Sequence, residues 1–503
     1  MITDQYDIVI IGSGMGGLVC GDVLSKEGYS VCILEKNKQI GGCLQTYVCD
    51  KVIFDSGVHY LGGLDKGQNL YQLFKYLGIM DKLKLQRMGE VFDKIIIEND
   101  DKEYAFAQGY ENFIDTLLVD FPNEEKALRQ YCDKIKEVCS RFPLYNLRMG
   151  GGFSEKVEVL EIETRSFVES ITTNTKLQEV LVGNNMLYAG QPGKTPFYVH
   201  AMILNSYIES SWKCVNGGSQ IGKLMSANIH SRGGIIQRNC AVERIVVEDG
   251  KVNHVITNSG RKIYGKQFIS NIHPVKTLEI TDTDLIRNAF RNRIKSLENS
   301  ISTFTLNIIF KEASFKYFQH NYYYFKEGRV WSMPDYTEQN WPLGYVIFFT
   351  AGKTKEFAAA LTVLAYMRYD EVKQWEDTFN TVSESIDRGD AYNEFKKVKA
   401  EKLIDCVEEK FPGIRESIKT YYTATPLSYR DYIGNDDGSM YGIVKDSRDP
   451  IKTLISPRTK IPNLYFTGQN LNLHGILGAA MSGLVTCIDL MENESIIEKI
   501  KNA

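Results

Sequence analysis

Two short apolar runs near the start of the chain predict a parallel β-sheet. Residues 8–11 read Ile-Val-Ile-Ile, a continuous apolar run typical of a strand buried on both faces. A second apolar run ends at Leu34, and the residues between the two runs have the length and periodicity of a helix. Parallel strands need such a crossover helix, so this pattern predicts an α/β fold.

The glycines after the first strand predict a dinucleotide-binding turn. Gly12, Gly14 and Gly17 fit the pattern G-x-G-x-x-G. In that pattern the first glycine allows the tight turn, the second lets a pyrophosphate approach the backbone, and the third lets the helix lie close to the strand. Glu35 follows the second strand, where a carboxylate accepts ribose hydroxyls. Its charge disfavours a 2′-phosphate, so we expect FAD or NAD rather than NADP.

The residues after Glu35 favour FAD. Gly41 and Gly42, with Lys36 before them and Thr46 behind them, resemble the extended FAD fingerprint of glutathione-reductase-like and amine-oxidase-like flavoproteins. The predicted FAD-binding residues are Gly12, Gly14, Met15, Gly16, Gly17, Glu35, Lys36, Gly41, Gly42, Thr46, Val242, Gly468, Gln469, Gly475, Ile476, Gly478 and Ala479.

The last of these residues form a strand, a glycine turn and a helix of small residues over 464–483. We expect the helix N-terminus to favour the anionic reduced flavin ring. Gly475 and Gly478 would leave out the side chains that block this approach, and Gln469 would hydrogen-bond a flavin carbonyl. The alternative is that the small residues serve only tight helix–helix packing.

A pattern typical of dinucleotide-binding domains returns at 214–275, where the sequence predicts a helix and four strands. We therefore predict an α/β fold: a discontinuous Rossmann-like FAD-binding domain of the glutathione-reductase or amine-oxidase type, with a parallel sheet and a β-meander. It comprises residues 1–75, 214–275 and 456–503. An inserted α+β substrate domain takes residues 76–213 and 276–455, with strands expected at 302–311, 320–325, 344–350 and 361–366.

Composition excludes several classes of protein. The 503 residues carry a net charge of −4 without a basic block, which argues against nucleic acid as a partner. No apolar stretch is long enough for a spanning helix, and the first residues do not resemble a secretory signal. The ten cysteines form no C-x-x-C pair and have no metal-ligand spacing, so we expect reduced thiols, no metal and a cytoplasmic location.

Four longer motifs resemble the phytoene desaturase superfamily, and within it the retinol saturase and carotenoid isomerase branch. The motifs are FDSGVHYLGG (54–63), PFYVHAMILNSYIESSWKCVNGGSQIGKLM (196–225), TPLSYRDYIGNDDGSMYGI (425–443) and IPNLYFTGQNLNLHGILGAAMSG (461–483). The resemblance is thin across 80–195 and 276–420. It implies reduction of a C=C bond in a lipophilic polyene or isoprenoid, and contact with a membrane surface where such substrates dissolve. His474-Gly475 departs from the carotenoid desaturase pattern and favours a saturase or an isomerase.

Saturation of an alkene requires a hydride on one carbon and a proton on the other. The flavin supplies the hydride, so the protein must supply the proton donor. His59 and Tyr60, in a glycine-rich loop, are the first candidates, followed by His200 and His474.

Other functions stay open on the sequence alone. One is a redox-neutral cis–trans isomerase or a desaturase of carotenoid-like polyenes, which would use the same cofactor. Another is a non-catalytic prenyl-lipid carrier of the GDP-dissociation-inhibitor type, which shares this architecture without FAD. Amine oxidation is a fourth possibility. The sequence does not identify the electron donor.

Overall fold

The computed structural model describes residues 5–150 and 154–503. Its strands are β1 Gln5–Ile11, β2 Val31–Leu34, β3 Thr46–Cys49, β4 Val52–Asp55, β5 Leu61–Gly62, β6 Leu85–Arg87, β7 Val91–Ile97, β8 Tyr104–Ala107, β9 Ser211–Cys214, β10 Ile235–Gln237, β11 Val242–Glu248, β12 Lys251–Thr257, β13 Lys262–Ser270, β14 Thr281–Asp282, β15 Ser302–Phe310, β16 Asn321–Phe325, β17 Gly344–Ala351, β18 Ala358–Met367, β19 Ile418–Ala424 and β20 Leu464–Phe466.

The α-helices follow the same order along the chain. They are α1 Met15–Lys26, α2 Asn69–Tyr76, α3 Tyr110–Asp120, α4 Glu125–Ser140, α5 Ser154–Leu160, α6 Thr164–Ile171, α7 Thr175–Leu181, α8 Phe197–Glu209, α9 Ser219–Ser231, α10 Pro274–Glu279, α11 Asn288–Lys295, α12 Gly389–Lys410, α13 Ile414–Ser417, α14 Pro426–Ile433, α15 Pro450–Thr453, α16 Gly475–Met491 and α17 Ser495–Lys501.

The first large sheet is the predicted Rossmann-like sheet. Its strand order is β10-β2-β1-β13-β12-β11-β14, and β20 also pairs with β13. The long strand β13 joins two kinds of pairing. Along one edge, residues 264–270 pair parallel with β1; along the other edge, its first residues pair antiparallel with β12 and its last residues pair parallel with β20. The sheet therefore combines a parallel core with a β-meander, which confirms the predicted fold class.

This sheet collects strands from three distant parts of the sequence. Residues 5–34 supply β1 and β2, residues 235–282 supply five strands, and residues 464–466 supply β20. Strand β14 joins it from beyond residue 275. The predicted domain limits consequently stay a proposal.

The second large sheet has the order β19-β15-β18-β17-β16-β7-β8. Its pairs are antiparallel except for β16 and β7, which run parallel. One face of this sheet packs on the helices between residues 110 and 209, and the other face packs under α12. The four strands predicted in this region are present as β15 to β18, and the sequence did not predict β19.

Candidate active site

One cavity extends from the first glycine turn to the second large sheet. At one end it is lined by the Gly12–Gly16 turn, Glu35 and Val242. At the other end it is lined by aromatic and aliphatic side chains. All of the predicted FAD-binding residues line this cavity except Gly17, Thr46 and Gly478.

The N-terminus of α1 opens into the cavity without a cap. Gly14 precedes the helix, no side chain caps it, and its first turn contains no acidic residue. Its first N–H groups are therefore free to bind an anion, and the helix dipole favours negative charge there. Gly12 has a φ of +92°, a conformation that favours glycine.

Gly17 acts behind the cavity wall. A Cβ atom at this position would lie 2.2 Å from the backbone oxygen of Gly12, so only glycine lets α1 lie this close to the end of β1. This is the packing role that the sequence pattern predicts for the third glycine.

Glu35 is fixed at the end of β2 by its neighbours. Its Oε2 accepts hydrogen bonds from the Ser13 N–H (3.0 Å) and the Ser13 hydroxyl (2.5 Å), and its Oε1 accepts one from the Asn37 N–H (2.9 Å). Two carboxylate oxygens offer about four acceptor positions. Glu35 therefore lines the cavity in a fixed orientation with capacity left for a ribose hydroxyl.

Thr46 and Gly478 do not lie where the sequence predicted. The Thr46 hydroxyl donates to the Ser219 hydroxyl at 3.0 Å and joins β3 to α9, away from the main cavity. A Cβ atom at Gly478 would lie 2.4 Å from the backbone oxygen of Leu473. The small size of Gly478 is therefore needed for packing against the preceding loop, which is neither the predicted approach to the flavin nor the helix–helix packing that the sequence left open.

Close helix packing accounts for another small residue of α16. A Cβ atom at Gly483 would lie 2.9 Å from the backbone oxygen of Gly16 in α1. Gly475 differs, because it lines the cavity with a φ of +75° and has open space around its missing side chain. The prediction that a missing side chain opens the approach to the flavin therefore fits Gly475, and it does not fit Gly478 or Gly483.

His59 lies in the cavity wall as a neutral ring. It stacks on Phe348, with the two ring centroids 4.2 Å apart and the planes 4° from parallel. Burial, and to a smaller extent the charge of Lys213, lower the pKa of His59 to about 3. The imidazolium form is absent near neutral pH, which does not favour the predicted role of proton donor.

Tyr60 has polar partners that the sequence did not predict. Its hydroxyl lies 2.9 Å from Oδ2 of Asp93 and 2.8 Å from the hydroxyl of Tyr323. Asp93 is fully buried and also accepts a hydrogen bond from Asn321 at 2.9 Å. The alternation of β7 could have indicated Asp93. Alternate residues of a strand point to the same face, so Asp93 lies on the same face as the buried residues Ile95 and Ile97.

The location of His200 does not favour the predicted role in the chemistry. His200 lies in the helical core outside the cavity, fully buried. Its Nε2 lies 2.5 Å from the Tyr131 hydroxyl and its Nδ1 lies 2.8 Å from the Tyr188 hydroxyl. It is a hydrogen-bonded core histidine.

His474 lies directly before α16 and outside the main cavity. Its Nε2 lies 3.1 Å from the backbone oxygen of Leu187, and its ring lies 4.4 Å from the ring of Tyr441. Burial lowers the pKa of His474 to about 4. The residue lines a smaller adjoining cavity, so its position suits support of Gly475 better than proton transfer.

The described residues contain neither a metal-binding cluster nor a membrane-spanning helix. No group of three or more His, Cys, Asp or Glu side chains within residues 5–150 and 154–503 could hold a metal ion. In the same ranges, no helix is both long and apolar enough to cross a membrane.

The sheet and its uncapped, glycine-rich turn define a Rossmann-like dinucleotide-binding fold. Residues 10–77 match the model of the NAD(P)-binding Rossmann-like domain. A solved triple mutant of putrescine oxidase has the same fold, with a TM-score of 0.64, 12% identity, and coverage of 97% of this chain and 99% of that one.

Relatives of known name cover nearly the whole chain. An all-trans-retinol 13,14-reductase of Danio rerio is 25% identical over 98% of this chain and 87% of its own length. A chloroplastic prolycopene isomerase of Daucus carota is 23% identical over 96% of this chain and 79% of its own. Retinol reductases and prolycopene isomerases are thus homologues of this chain, which confirms the resemblance given by the four motifs.

Proposed function

We propose that the chain is an FAD-dependent oxidoreductase that reduces a C=C bond of a lipophilic polyene or isoprenoid. The observation that carries this proposal is the continuity of the cavity, which joins a dinucleotide cradle to an apolar chamber. The named homologues include reductases of a retinoid alkene, which supports reduction as the reaction.

The residues of the cavity suit FAD. The free N–H groups of the α1 N-terminus would bind the pyrophosphate, Glu35 would accept the ribose hydroxyls, and Val242 would border the adenine. Gly468, Gln469 and the start of α16 would hold the isoalloxazine ring. When bound, the flavin supplies hydride chemistry at a carbon of the substrate.

The chamber beyond the flavin end suits an apolar chain. Phe348 and His59 form a stacked wall, and Val346, Leu364 and Met440 add aliphatic surface. Such a chamber binds a conjugated hydrocarbon through burial of apolar area, at roughly 25 cal/mol per Å².

The first test uses the purified protein and all-trans-retinol. We expect a yellow protein with about one FAD per chain. Under anaerobic conditions the chemically reduced protein should convert the probe to a product heavier by two hydrogen atoms, detected by mass spectrometry. A colourless protein that does not take up FAD would favour the prenyl-lipid carrier and overturn the proposal.

A second candidate, cis–trans isomerisation, is favoured by the prolycopene isomerase homologues. It leaves the mass unchanged, so the same measurement with a cis-polyene separates the two reactions. A product of unchanged mass and altered geometry would replace reduction by isomerisation.

We also propose peripheral contact with a membrane, because the substrate class dissolves there. Met149 and Val157 are large apolar side chains exposed on this protein, 45% and 38% respectively. Co-sedimentation with neutral phosphatidylcholine vesicles should be weaker for a Met149→Ser, Val157→Ser double variant. Equal co-sedimentation of both proteins would remove this part of the proposal.

A further inference from the structure

A chain of hydrogen bonds connects the cavity wall to a buried carboxyl group. Oδ2 of Asp93 lies 2.9 Å from the Tyr60 hydroxyl, which lies 2.8 Å from the Tyr323 hydroxyl. Tyr60 and Tyr323 line the cavity, and Asp93 lies behind them with no exposed surface. The Tyr60 hydroxyl therefore lies between Asp93 and the Tyr323 hydroxyl in this chain of hydrogen bonds.

The pairing of β7 with β16 fixes this arrangement. The two strands run parallel, and Asp93 is the register partner of Asn321. The Asn321 side chain donates to Oδ1 of Asp93 at 2.9 Å, and Tyr323 follows two positions later on the same face of the strand. Tyr60 comes from the loop before β5, so three separate segments build the chain of hydrogen bonds.

The protonation state of Asp93 sets the direction of these hydrogen bonds. An ionised carboxylate only accepts, so Tyr60 would donate to Asp93 and Tyr323 would donate to Tyr60. A protonated Asp93 donates to Tyr60, and Tyr60 donates to Tyr323. The Tyr323 O–H is then no longer donated to Tyr60 and is available to another acceptor.

We propose that Asp93 stores the proton that the Tyr323 hydroxyl delivers, through Tyr60, to an alkene carbon of the substrate. This inference rests on the proposed function. Bound reduced flavin would supply a hydride to one alkene carbon, and the π-electron pair would take the proton of the Tyr323 hydroxyl on the other carbon. Tyr323 regains a proton from Tyr60, and Tyr60 regains one from Asp93. After the product leaves, water that enters the cavity returns a proton to Asp93 through the Tyr60 hydroxyl, which lines the cavity.

The surroundings of Asp93 keep a large fraction of its carboxyl group protonated up to about pH 7. Burial raises the pKa of Asp93 to about 7, while its hydrogen bonds and the charge of Lys213 oppose this shift. Lys213 is partly buried, and loss of hydration lowers its pKa to about 8. Tyr207 and Tyr441 are the other titratable groups that act on Tyr323, and burial raises the pKa of all these tyrosines above the usual value. Delivery of the proton should fail as the pH rises through about 7.

In the described part of the chain, two other polar groups at the apolar end of the cavity, His59 and Tyr441, have no carboxyl group behind them that could return a proton. His59 is neutral, as its stacking and burial require. The Tyr441 hydroxyl donates to the backbone oxygen of Met186 at 3.0 Å, which cannot return a proton. Tyr323 and Tyr60 are the cavity hydroxyls in this part of the described structure that reach a carboxyl group.

The kinetic test uses FAD-loaded enzyme, reduced chemically without oxygen and mixed once with all-trans-retinol. Tyr323→Phe and Asp93→Asn should each lower the rate of alkene reduction by about 10²-fold, the usual contribution of a general acid. The rate of the wild type should fall above about pH 7, and the rate of Asp93→Asn should not depend on pH there. Tyr324→Phe is the matched control, because Tyr324 is the next residue of β16 on the opposite face.

An unchanged FAD absorbance in all four proteins would show that the variants fold and bind the cofactor. If Asp93→Asn kept both the rate and the pH profile of the wild type, the inference would be overturned. A wild type that binds FAD and reduces no alkene would instead overturn the proposed function.

A second readout needs no substrate. Infrared spectra of the wild type should contain a protonated-carboxyl band that decreases as the pH rises through about 7 and is missing from Asp93→Asn. Burial raises the pKa of Asp55 to about 7 as well, so only the part of the band lost in Asp93→Asn is assigned to Asp93. Identical spectra of the two proteins would mean that Asp93 is ionised, which excludes it as the proton store.

Discussion

Gly17 and Gly222 show how the surroundings of one atom decide the effect of the same change. Both are glycines within helices of the Rossmann-like region, Gly17 in α1 and Gly222 in α9. A Cβ atom at Gly17 would meet the Gly12 oxygen at 2.2 Å, whereas a Cβ atom at Gly222 would have its nearest neighbour, Leu18, at 3.5 Å. The first distance is a clash with backbone, and the second is an ordinary contact.

We therefore predict opposite results for two alanine variants. Gly17→Ala should lower the free energy of unfolding by about 1–3 kcal/mol through overpacking and reduce the FAD content. Gly222→Ala should leave FAD content unchanged and stabilise α9 by up to about 1 kcal/mol, since alanine is the better helix former. Urea unfolding and flavin absorbance measure both quantities. Equal behaviour of the two variants would contradict the packing role of Gly17.

At this scale the sequence predicted what is local and missed what is distant. The first glycine turn and Glu35 lie within 24 positions of each other, and their spacing alone indicates a dinucleotide site. Asp93 becomes informative only beside Tyr323, which is 230 positions away, and no spacing rule connects them. The sequence could not locate His200, because a histidine that acts on a substrate and a histidine bonded to two core tyrosines look the same in sequence.

Helix α16 has two different uses for its glycines, and the sequence could not separate them. Gly475 lines the cavity, and Gly478 packs against the loop that contains Leu473. Which face of a helix meets a neighbour depends on its rotation, and small residues on every side leave that rotation undetermined. Strand β19 was missed for a related reason, because its residues are only partly buried and show no clear alternation.

The two glycines of α16 should respond differently to alanine. Gly478→Ala should destabilise the protein with or without FAD, because its Cβ atom would lie 2.4 Å from backbone. Gly475→Ala meets no neighbouring atom, so its cost is the roughly 1–2 kcal/mol of a left-handed backbone together with weaker FAD binding. Thermal unfolding of the FAD-free proteins and titration with FAD separate the two effects. A larger loss of FAD affinity in Gly478→Ala, at unchanged stability, would contradict this assignment.

Helix α14 connects the end of the cavity near Glu35 to the second large sheet. The Lys36 side chain donates to the backbone oxygen of Asp431, and the Asn37 side chain donates to that of Tyr432, each at 2.8 Å. The buried Asp431 carboxylate accepts hydrogen bonds from Arg388 (2.5 Å) and Arg430 (2.8 Å). These contacts hold the wall of the cavity that α14 forms.

Asp431→Ala should lower the free energy of unfolding by about 3–5 kcal/mol, because it leaves the nearly buried Arg388 without its partner. The exposed pair of Arg415 and Glu401 is the matched control. Arg415→Gln should change stability by at most about 1 kcal/mol. Urea unfolding of both variants makes the comparison, and a small effect of Asp431→Ala would show that α14 is held by its other contacts.

The Rossmann-like sheet takes its strands from three distant parts of the sequence, and this affects the order in which the sheet forms during translation. Strand β13 stays without its neighbour β20 until residues 464–466 have left the ribosome, although β1 is made more than 400 residues earlier. At about 5–20 residues per second the first strand waits roughly 20–90 s for completion of its sheet. Prosthetic-group uptake would then be a late event, and every prematurely terminated polypeptide would remain unloaded and open to proteolytic removal.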